Sequence, residues 1–172
     1  MSFPYCVGQV PVYYGHMRTG RPLTGDYRTT RFSSQYLDIP NAPLYPFGYG
    51  LTYTSFSCSP IRLSGDTLRP GQELTASVTV TNTGALAGTE TLQLYIHDVA
   101  GSVTRPVREL KGFKKVTLAP GESQEVTFAI TEDMLRFYDI HMEYVAEPGE
   151  FEVFLGFDST ADNRAAFTLE KE

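Results

Sequence analysis

The feature that most constrains the fold of this 172-residue sequence is an alternation of apolar and polar residues that recurs after residue 50. In the segment ELTASVTVTNTG (73–84), Leu74, Ala76 and Val78 alternate with threonine and serine. A period of two places successive side chains on opposite faces of a β-strand, so each such segment is predicted to be a strand with one buried face. Strands are predicted near residues 53–63, 72–82, 90–98, 109–118, 123–130, 141–146, 149–157 and 165–170.

Proline–glycine turns separate these strands at RPGQ (69–72), APGE (119–122) and EPGE (147–150). Proline presets the first turn position and glycine accepts the unusual φ that follows it. The helical signal is weak and confined to TEDMLRFY (131–138), where Thr131 can cap a single turn that begins with Glu132 and Asp133. Many short strands with turns between them predict an all-β sandwich.

The buried phase of the alternation predicts the core of the sandwich. On the segment TLQLYIHD (91–98), the apolar residues alternate with Gln93, Tyr95 and His97, which form the polar phase. Applied to every strand, the same rule predicts that these side chains lie between two sheets: Val78, Val80, Leu92, Leu94, Ile96, Val126, Phe128, Val153 and Leu155.

Residues 1–49 lack the alternation and are predicted to be an irregular N-terminal arm, followed by the sandwich at 50–172. Prolines 22, 40, 43 and 46 oppose both helix and central strand. The strand candidate in this part is GQVPVYYG (8–15), predicted to be an edge strand because it contains Pro11. Loops this long are unusual within a compact domain, so the arm either wraps the sandwich or belongs to a domain outside this sequence.

A run of rings follows the arm in LYPFGYGLTYTSF (44–56), which we call the aromatic segment. Aromatic rings bury large areas, and glycines between them let the chain turn. The segment is therefore predicted to dock on a neighbouring domain or on a second copy of the chain, through Tyr45, Phe47, Tyr49 and Tyr53. Because an unpaired strand edge invites pairing, self-association through the arm is also expected.

Composition excludes several functions. The net charge of −6 argues against nucleic-acid binding, which depends on clustered cations. Apolar runs fall short of the roughly 20 residues that span a bilayer, and the start MSFPYCVGQVPVYY lacks the features of a signal peptide. Cys6 and Cys58 are expected to be free thiols and have no neighbours at metal-ligand spacing, so no metal is expected.

Several motifs, in order along the chain, carry a family resemblance. The motifs SVTVTNTG, GTETLQLYI, RPVRELKGFKKVTLAPGESQEVTFAI and EPGEFEVFLGFDS resemble the fibronectin type III-like domain at the C-terminus of glycoside hydrolase family three enzymes, bacterial β-glucosidases in particular. Upstream, MSFPYCVGQVPVYYGH and YLDIPNAPLYPFGYGLTYTSF resemble the segment that joins the preceding α/β sandwich domain to that module. The resemblance implies an immunoglobulin/fibronectin type III-like β-sandwich.

The resemblance also implies that this region is not the catalytic one. Enzymes of the family carry an aspartate nucleophile on a barrel domain and often an acid/base glutamate on the α/β sandwich domain, and neither matches a position in this sequence. The chain is therefore expected to be a non-catalytic module, inactive alone and without a cofactor, that stabilises or docks on catalytic domains in the same or a separate chain. A periplasmic or secreted location fits the parent enzyme, although the sequence itself does not fix a compartment.

The residue types that glycoside hydrolysis requires are present without a convincing arrangement. The reaction needs two carboxyl groups roughly 5–10 Å apart. Glu132 and Asp133 are expected to cap a turn, and Asp158 and Asp162 to lie in a solvated loop. The three histidines, at 16, 97 and 141, are far apart in sequence, and His97 is expected at the surface.

Two questions stay open, the role of a basic segment and the function of the chain as a whole. The cations of RPVRELKGFKK (105–115) could contact phosphate or an acidic sugar, but a solvated face or a guarded sheet edge is the more common role: Arg105, Arg108, Lys111, Lys114 and Lys115. The chain could also be a free-standing carbohydrate-binding or adhesion module, which the absence of tryptophan disfavours, or a subunit that completes a split β-glucosidase.

Overall fold

A computed structural model describes residues 1–10, 12–18, 20–23 and 32–171 of the chain. Within them the fold is all-β, as predicted, and the strands are β1 (Phe56–Cys58), β2 (Arg62–Leu63), β3 (Thr67–Leu68), β4 (Glu73–Asn82), β5 (Gly88–Asp98), β6 (Glu109–Leu118), β7 (Ser123–Thr131), β8 (Phe137–Tyr138), β9 (Tyr144–Val145), β10 (Gly149–Gly156) and β11 (Arg164–Leu169). A 3₁₀ turn at Glu132–Met134 joins β7 to β8. None of the described segments is a helix long and apolar enough to cross a membrane.

The strands form two packed sheets and a separate hairpin. In the four-stranded sheet, β4 pairs with β7 along one edge and with β1 and β2 in turn along the other. The five-stranded sheet has the order β3-β11-β10-β5-β6 and is antiparallel except where β3 meets β11. Within the described part of the chain, strands β8 and β9 pair only with each other.

The core lies between the facing sides of the two sheets. All nine side chains predicted for it are buried, which confirms the strand phase read from the sequence. Leu94 on β5 lies opposite Leu155 on β10, so apolar side chains from neighbouring strands meet on the same face. A buried apolar side chain contributes roughly 1.5–3 kcal/mol to stability, and this row of them holds the sandwich together.

Three predicted strands differ in extent. The strand predicted at 53–63 is two short strands, because Pro60 lies between them and has no N–H to donate to β4. The strand predicted at 141–146 is only the two-residue β9. The edge strand predicted at 8–15 was wrong for the described part of that segment, since the arm pairs through isolated bridges outside it, Phe3 with Tyr45 and Met17 with Pro106.

The single turn predicted after β7 is present, but a different contact holds it. Thr131 occupies the capping position, yet its side chain makes no capping hydrogen bond. Instead, Arg136 pairs with Glu132 at 3.0 Å and with Asp133 at 3.1 Å. These ion pairs within one turn use the carboxylates that were expected to cap it.

Candidate docking surface

The chain's own arm covers the central part of β5 on the outer face of the five-stranded sheet. The polar phase of β5 places Gln93 and Tyr95 on this face, and both are buried. The ring of Tyr14 lies edge-on to Tyr95, with centroids 5.5 Å apart, and tilts against Phe47 at 4.5 Å. The interpretation of β5 as a strand with one buried face was therefore wrong at these positions, because the arm adds a third layer.

Gln93 ties the aromatic segment to the sheet. Its Nε2 donates to the carbonyl oxygens of Phe157 at 2.6 Å and Gly48 at 3.2 Å, and its Oε1 accepts from the Tyr95 hydroxyl. Gly48 has φ of +81°, and a Cβ there would lie 2.2 Å from the Gln93 Oε1. The close approach therefore requires glycine at position 48, both for its backbone conformation and for its lack of a side chain.

Arg108 fixes the loop that follows β10 against the same layer. Its guanidinium lies 4.2 Å from the centroid of the Phe154 ring and donates to the carbonyl oxygens of Ser159 at 2.6 Å and Ala161 at 2.9 Å. The Ser159 N–H in turn donates to the Phe47 carbonyl oxygen at 2.9 Å. Burial lowers the pKa of Arg108 below its usual value, and the nearby carboxylates oppose that shift.

Gln9 holds the first residues of the arm in place by side-chain hydrogen bonds, as Gln93 holds the aromatic segment. Its side chain is buried, accepts from the Tyr5 N–H at 2.7 Å, and donates to the carbonyl oxygens of Pro40 at 2.8 Å and Ala42 at 3.0 Å. Two distant parts of the arm are thereby joined. Neither glutamine is predicted as a contact residue from the sequence, since a glutamine in an irregular segment or on a polar strand phase carries no signal of burial.

The arm also contacts the loop between β5 and β6. The Val107 N–H donates to the His16 carbonyl oxygen at 2.9 Å, and Met17 forms an isolated bridge with Pro106. The described arm therefore lies on its own sandwich, which is one of the two arrangements expected from its length. Residues 11, 19, 24–31 and 172 lie outside the described part.

The four ring residues predicted to dock are divided between two directions. Phe47 is half-buried and packs inward on Tyr14, whereas Tyr45, Tyr49 and Tyr53 are exposed, Tyr53 by 96%. Tyr45 and Tyr49 pack side by side with centroids 5.1 Å apart. The segment thus presents three tyrosines on a backbone that is anchored at Gly48, and it leaves Leu51 exposed between them.

Three of the acidic residues considered for catalysis make contacts within their own turn or loop. Glu132 and Asp133 bind Arg136, and Asp158 accepts from the Thr160 N–H at 2.7 Å and hydroxyl at 2.6 Å. His97 lies at hydrogen-bond distance, 3.4 Å, from the Pro106 carbonyl oxygen. Among the described residues, no group of three histidine, cysteine or acidic side chains could hold a metal ion.

Of the cations of the 105–115 segment, Lys114 and Lys115 are exposed on β6, an edge strand of the five-stranded sheet, which fits the guarded edge, whereas Arg105, Arg108 and Lys111 are partly buried. Arg105 donates to Glu109 at 2.8 Å, and Lys111 lies 3.6 Å from the same carboxylate. Lys114 reaches across the open edge of the sandwich to the Thr127 carbonyl oxygen at 2.5 Å. With Arg108 bound to the loop after β10, four of these five cations make contacts within the chain.

A buried ion pair marks the end of β5. The side chains of Asp98 and Arg105 are 9% and 13% exposed, and their facing atoms Oδ2 and Nε are 3.6 Å apart. Neither of these two atoms has a hydrogen-bond partner among the residues that the structure describes. Burial raises the pKa of Asp98 above its usual value, and the attraction of Arg105 only partly offsets the shift.

The chain is similar to known proteins over almost its whole length. Residues 90–159 match the family described as the fibronectin type III-like domain. The chain is 48% identical over 169 residues to a periplasmic β-glucosidase of Salmonella typhimurium, which covers 98% of this chain and 22% of that protein. It is 39% identical to a β-xylosidase of Formosa agariphila, over 98% of this chain and 22% of that one.

Solved structures give the same result for the fold. The crystal structure of β-glucosidase from Listeria innocua superposes with a TM-score of 0.91 at 45% identity, covering 98% of this chain and 23% of that one. A β-glucosidase involved in saponin metabolism from intestinal bacteria superposes with a TM-score of 0.84 at 34% identity, over 98% and 22%. The chain therefore spans about a fifth of the length of these relatives.

Proposed function

We propose a supporting role for this chain, which belongs to the fibronectin type III-like modules of glycoside hydrolase family three β-glucosidases. In this role it is a non-catalytic module that binds the catalytic domains of such an enzyme, in the same chain, and stabilises their arrangement. The division into an arm at residues 1–49 and a sandwich at 50–172 is part of the proposal. The enzyme as a whole hydrolyses O-glycosyl bonds, and this region contributes stability rather than chemistry.

One observation carries the proposal: the aromatic segment is anchored inward and exposed outward. Phe47 and Gly48 hold the segment on the sheet, while Tyr45, Tyr49 and Tyr53 face solvent. Tyrosine is enriched at protein interfaces and among the residues that dominate binding energy. Because the backbone is already fixed, little conformational entropy is lost when these rings meet a partner surface.

The sugar that the parent enzyme cleaves is proposed to be selected elsewhere. Relatives with this region are named both as β-glucosidase and as β-xylosidase, at 48% and 39% identity to this chain. In addition, Glu132, Asp133 and Asp158 are held by Arg136 or by their own loop. The isolated chain is therefore expected not to hydrolyse an aryl β-glucoside, which an assay with a chromogenic substrate checks directly.

The test compares the chain alone with a chimera in which it replaces the aligned part of the Salmonella typhimurium β-glucosidase. In both proteins Tyr45, Tyr49 and Tyr53 are changed to serine. The melting temperature of the chain should move by less than about 2 °C, because exposed substitutions change stability little. In the chimera the same change should lower the melting temperature clearly, while the control Leu86→Ser, at another exposed position, should not.

Equal effects in the two proteins, or no effect in the chimera, would refute docking through the aromatic segment. The competing arrangement is a homo-oligomer, in which the same rings meet a second copy. Sedimentation distinguishes it: a dimer of the chain that the triple serine variant converts to monomer favours self-association. Restored hydrolysis when the chain is added to separately expressed catalytic domains would favour a split enzyme instead, and binding of an oligosaccharide by the chain alone would favour a carbohydrate-binding module.

A further inference from the structure

A second exposed apolar surface lies on the hairpin of β8 and β9, residues 137–145, which we call the apolar hairpin. Ile140 and Met142 at its tip are 71% and 76% exposed. Tyr138 and Tyr144 are also exposed, and they pack on each other across the hairpin with ring centroids 5.0 Å apart. Soluble proteins seldom leave a contiguous group of large apolar side chains uncovered unless it has a binding role.

The tip of the hairpin has a defined shape rather than that of a loose loop. The Oδ1 of Asp139 accepts from the N–H groups of His141 at 2.8 Å and Glu143 at 2.9 Å. The Asp139 N–H donates to the Glu143 carbonyl oxygen at 3.0 Å. Met142 is held at φ of +63°, a conformation that non-glycine residues seldom adopt. These bonds present the two apolar side chains of the tip in a fixed arrangement.

The base of the hairpin is joined to the arm. Phe137 is buried, and the Arg105 guanidinium lies 4.2 Å from the centroid of its ring. The next residue of the chain, Pro106, forms the bridge with Met17 of the arm. The apolar hairpin is therefore connected through two consecutive residues to the arm, which leads into the aromatic segment.

We propose that the apolar hairpin is a second docking element and that its occupant is the catalytic portion of the parent β-glucosidase. This inference rests on the proposed function. The relatives are four to five times longer than this chain, so most of such a protein lies outside it. Tyrosine and methionine are the residue types that protein interfaces favour, and the flexible methionine side chain adapts to an irregular apolar pocket.

The charge around the tip defines the chemistry of the partner surface. Glu143 is exposed at the tip, next to Met142 in the chain, and carries negative charge. The partner surface should therefore be an apolar depression with lysine or arginine at its rim. A carbohydrate would not require the exposed Ile140 and Met142, which offer it no hydrogen bonds.

The experiment measures the accessibility of a cysteine at the tip. Ile140→Cys is made in a Cys6→Ser background, both in the chain alone and in the chimera with the Salmonella typhimurium enzyme. Cys58 reacts slowly because burial raises its pKa to about 11. The rate of thiol labelling should be at least tenfold lower in the chimera. A matched Thr127→Cys variant, on the exposed outer face of β7, should label at the same rate in both proteins.

A third variant, Tyr53→Cys, reports on the proposed function and separates the two ideas. Protection at position 53 without protection at position 140 would overturn this inference and leave the proposed function standing, whereas protection at neither would overturn both. Protection at position 140 that appears in the chain alone as its concentration rises would assign the hairpin to a second copy, and so would also overturn it. If the chimera does not fold, the same labelling at the aligned position of the natural Salmonella enzyme decides the question.

Discussion

In the central part of β5, both faces of the five-stranded sheet are buried, but by different means. On β5, Leu92, Leu94 and Ile96 face the opposite sheet and are covered by apolar side chains. Gln93 and Tyr95, on the other face, are covered by the arm, and a few directed hydrogen bonds and ring contacts hold that cover in place. The inner face is therefore stabilised by apolar packing, and the outer face by a few hydrogen bonds and ring contacts that require a definite geometry.

This difference determines how each layer can fail. Apolar packing is non-directional, and every core side chain contacts several others. A substitution that removes a side chain from the inner face is therefore expected to destabilise the whole sandwich, which unfolds cooperatively. The outer layer rests on Gln93, Gly48 and Tyr14, and the loss of one contact can release the arm locally while the sandwich stays folded. The core is therefore expected to stay folded when the outer layer opens.

The largest effect should come from the inner face. Leu94→Ala removes a fully buried side chain between two sheets and should lower the free energy of unfolding by about 2–5 kcal/mol. Denaturant unfolding measures it, with Leu86→Ala as the exposed control, expected to change stability by less than about 0.5 kcal/mol. A loss below about 1 kcal/mol for Leu94→Ala would mean that the inner face is not the continuous core described above.

The next effect should come from the outer face and should be local. Gln93→Ala leaves the Tyr95 hydroxyl and the Gly48 carbonyl without their partner, a change that should cost about 1–3 kcal/mol. Amide exchange should accelerate at Ser159, whose N–H donates to Phe47, more than at Leu94 in the core. Thr91→Ala, on the same strand face, is the control. Equal acceleration at both amides would show that the two layers open together.

A smaller effect tests whether Gly48 and Gln93 act as one unit. Gly48→Ala should destabilise the chain by about 1–2 kcal/mol, because φ there is +81°. Its new Cβ also collides with the end of the Gln93 side chain, so in the Gln93→Ala background the cost should fall toward that of the backbone alone. Denaturant unfolding of the four proteins gives the coupling. Additive costs would mean that the glutamine moves aside freely.

The inner face could be predicted from the sequence because alternation is a local pattern with one physical meaning. A strand whose even positions are leucine, valine and isoleucine buries that face against something, whatever the rest of the chain does. The limits of β1 and β2 were less predictable, because Pro60 interrupts a pattern that otherwise continues. The short β3 was missed, since two residues are too few to show a period.

The outer layer could be predicted only in part. The rings of the aromatic segment stood out by composition, but their division into an inward Phe47 and outward tyrosines depends on where the segment crosses β5. That crossing is fixed by Gln93, more than 40 residues away in sequence, and by Tyr14 in the arm. No local pattern carries such information, because the contacts join segments whose separate sequences look irregular.

The smallest effect on stability is expected at Asp98, the charged residue that follows the apolar side chains on the inner face of β5. Asp98 follows Ile96 on the same face, and burial raises its pKa above the ordinary 3.8 despite Arg105. The folded state then binds this proton more tightly than the unfolded chain does, so the contribution of Asp98 to stability should rise as pH falls through the raised pKa toward 3.8. Asp98→Asn cannot titrate, so the stability of the natural chain relative to this variant should be higher at about pH 4.5 than at about pH 7. Denaturant unfolding at the two pH values measures the difference. The opposite sign would mean that the attraction of Arg105 outweighs burial and that the inner face continues into a stabilising ion pair rather than ending there.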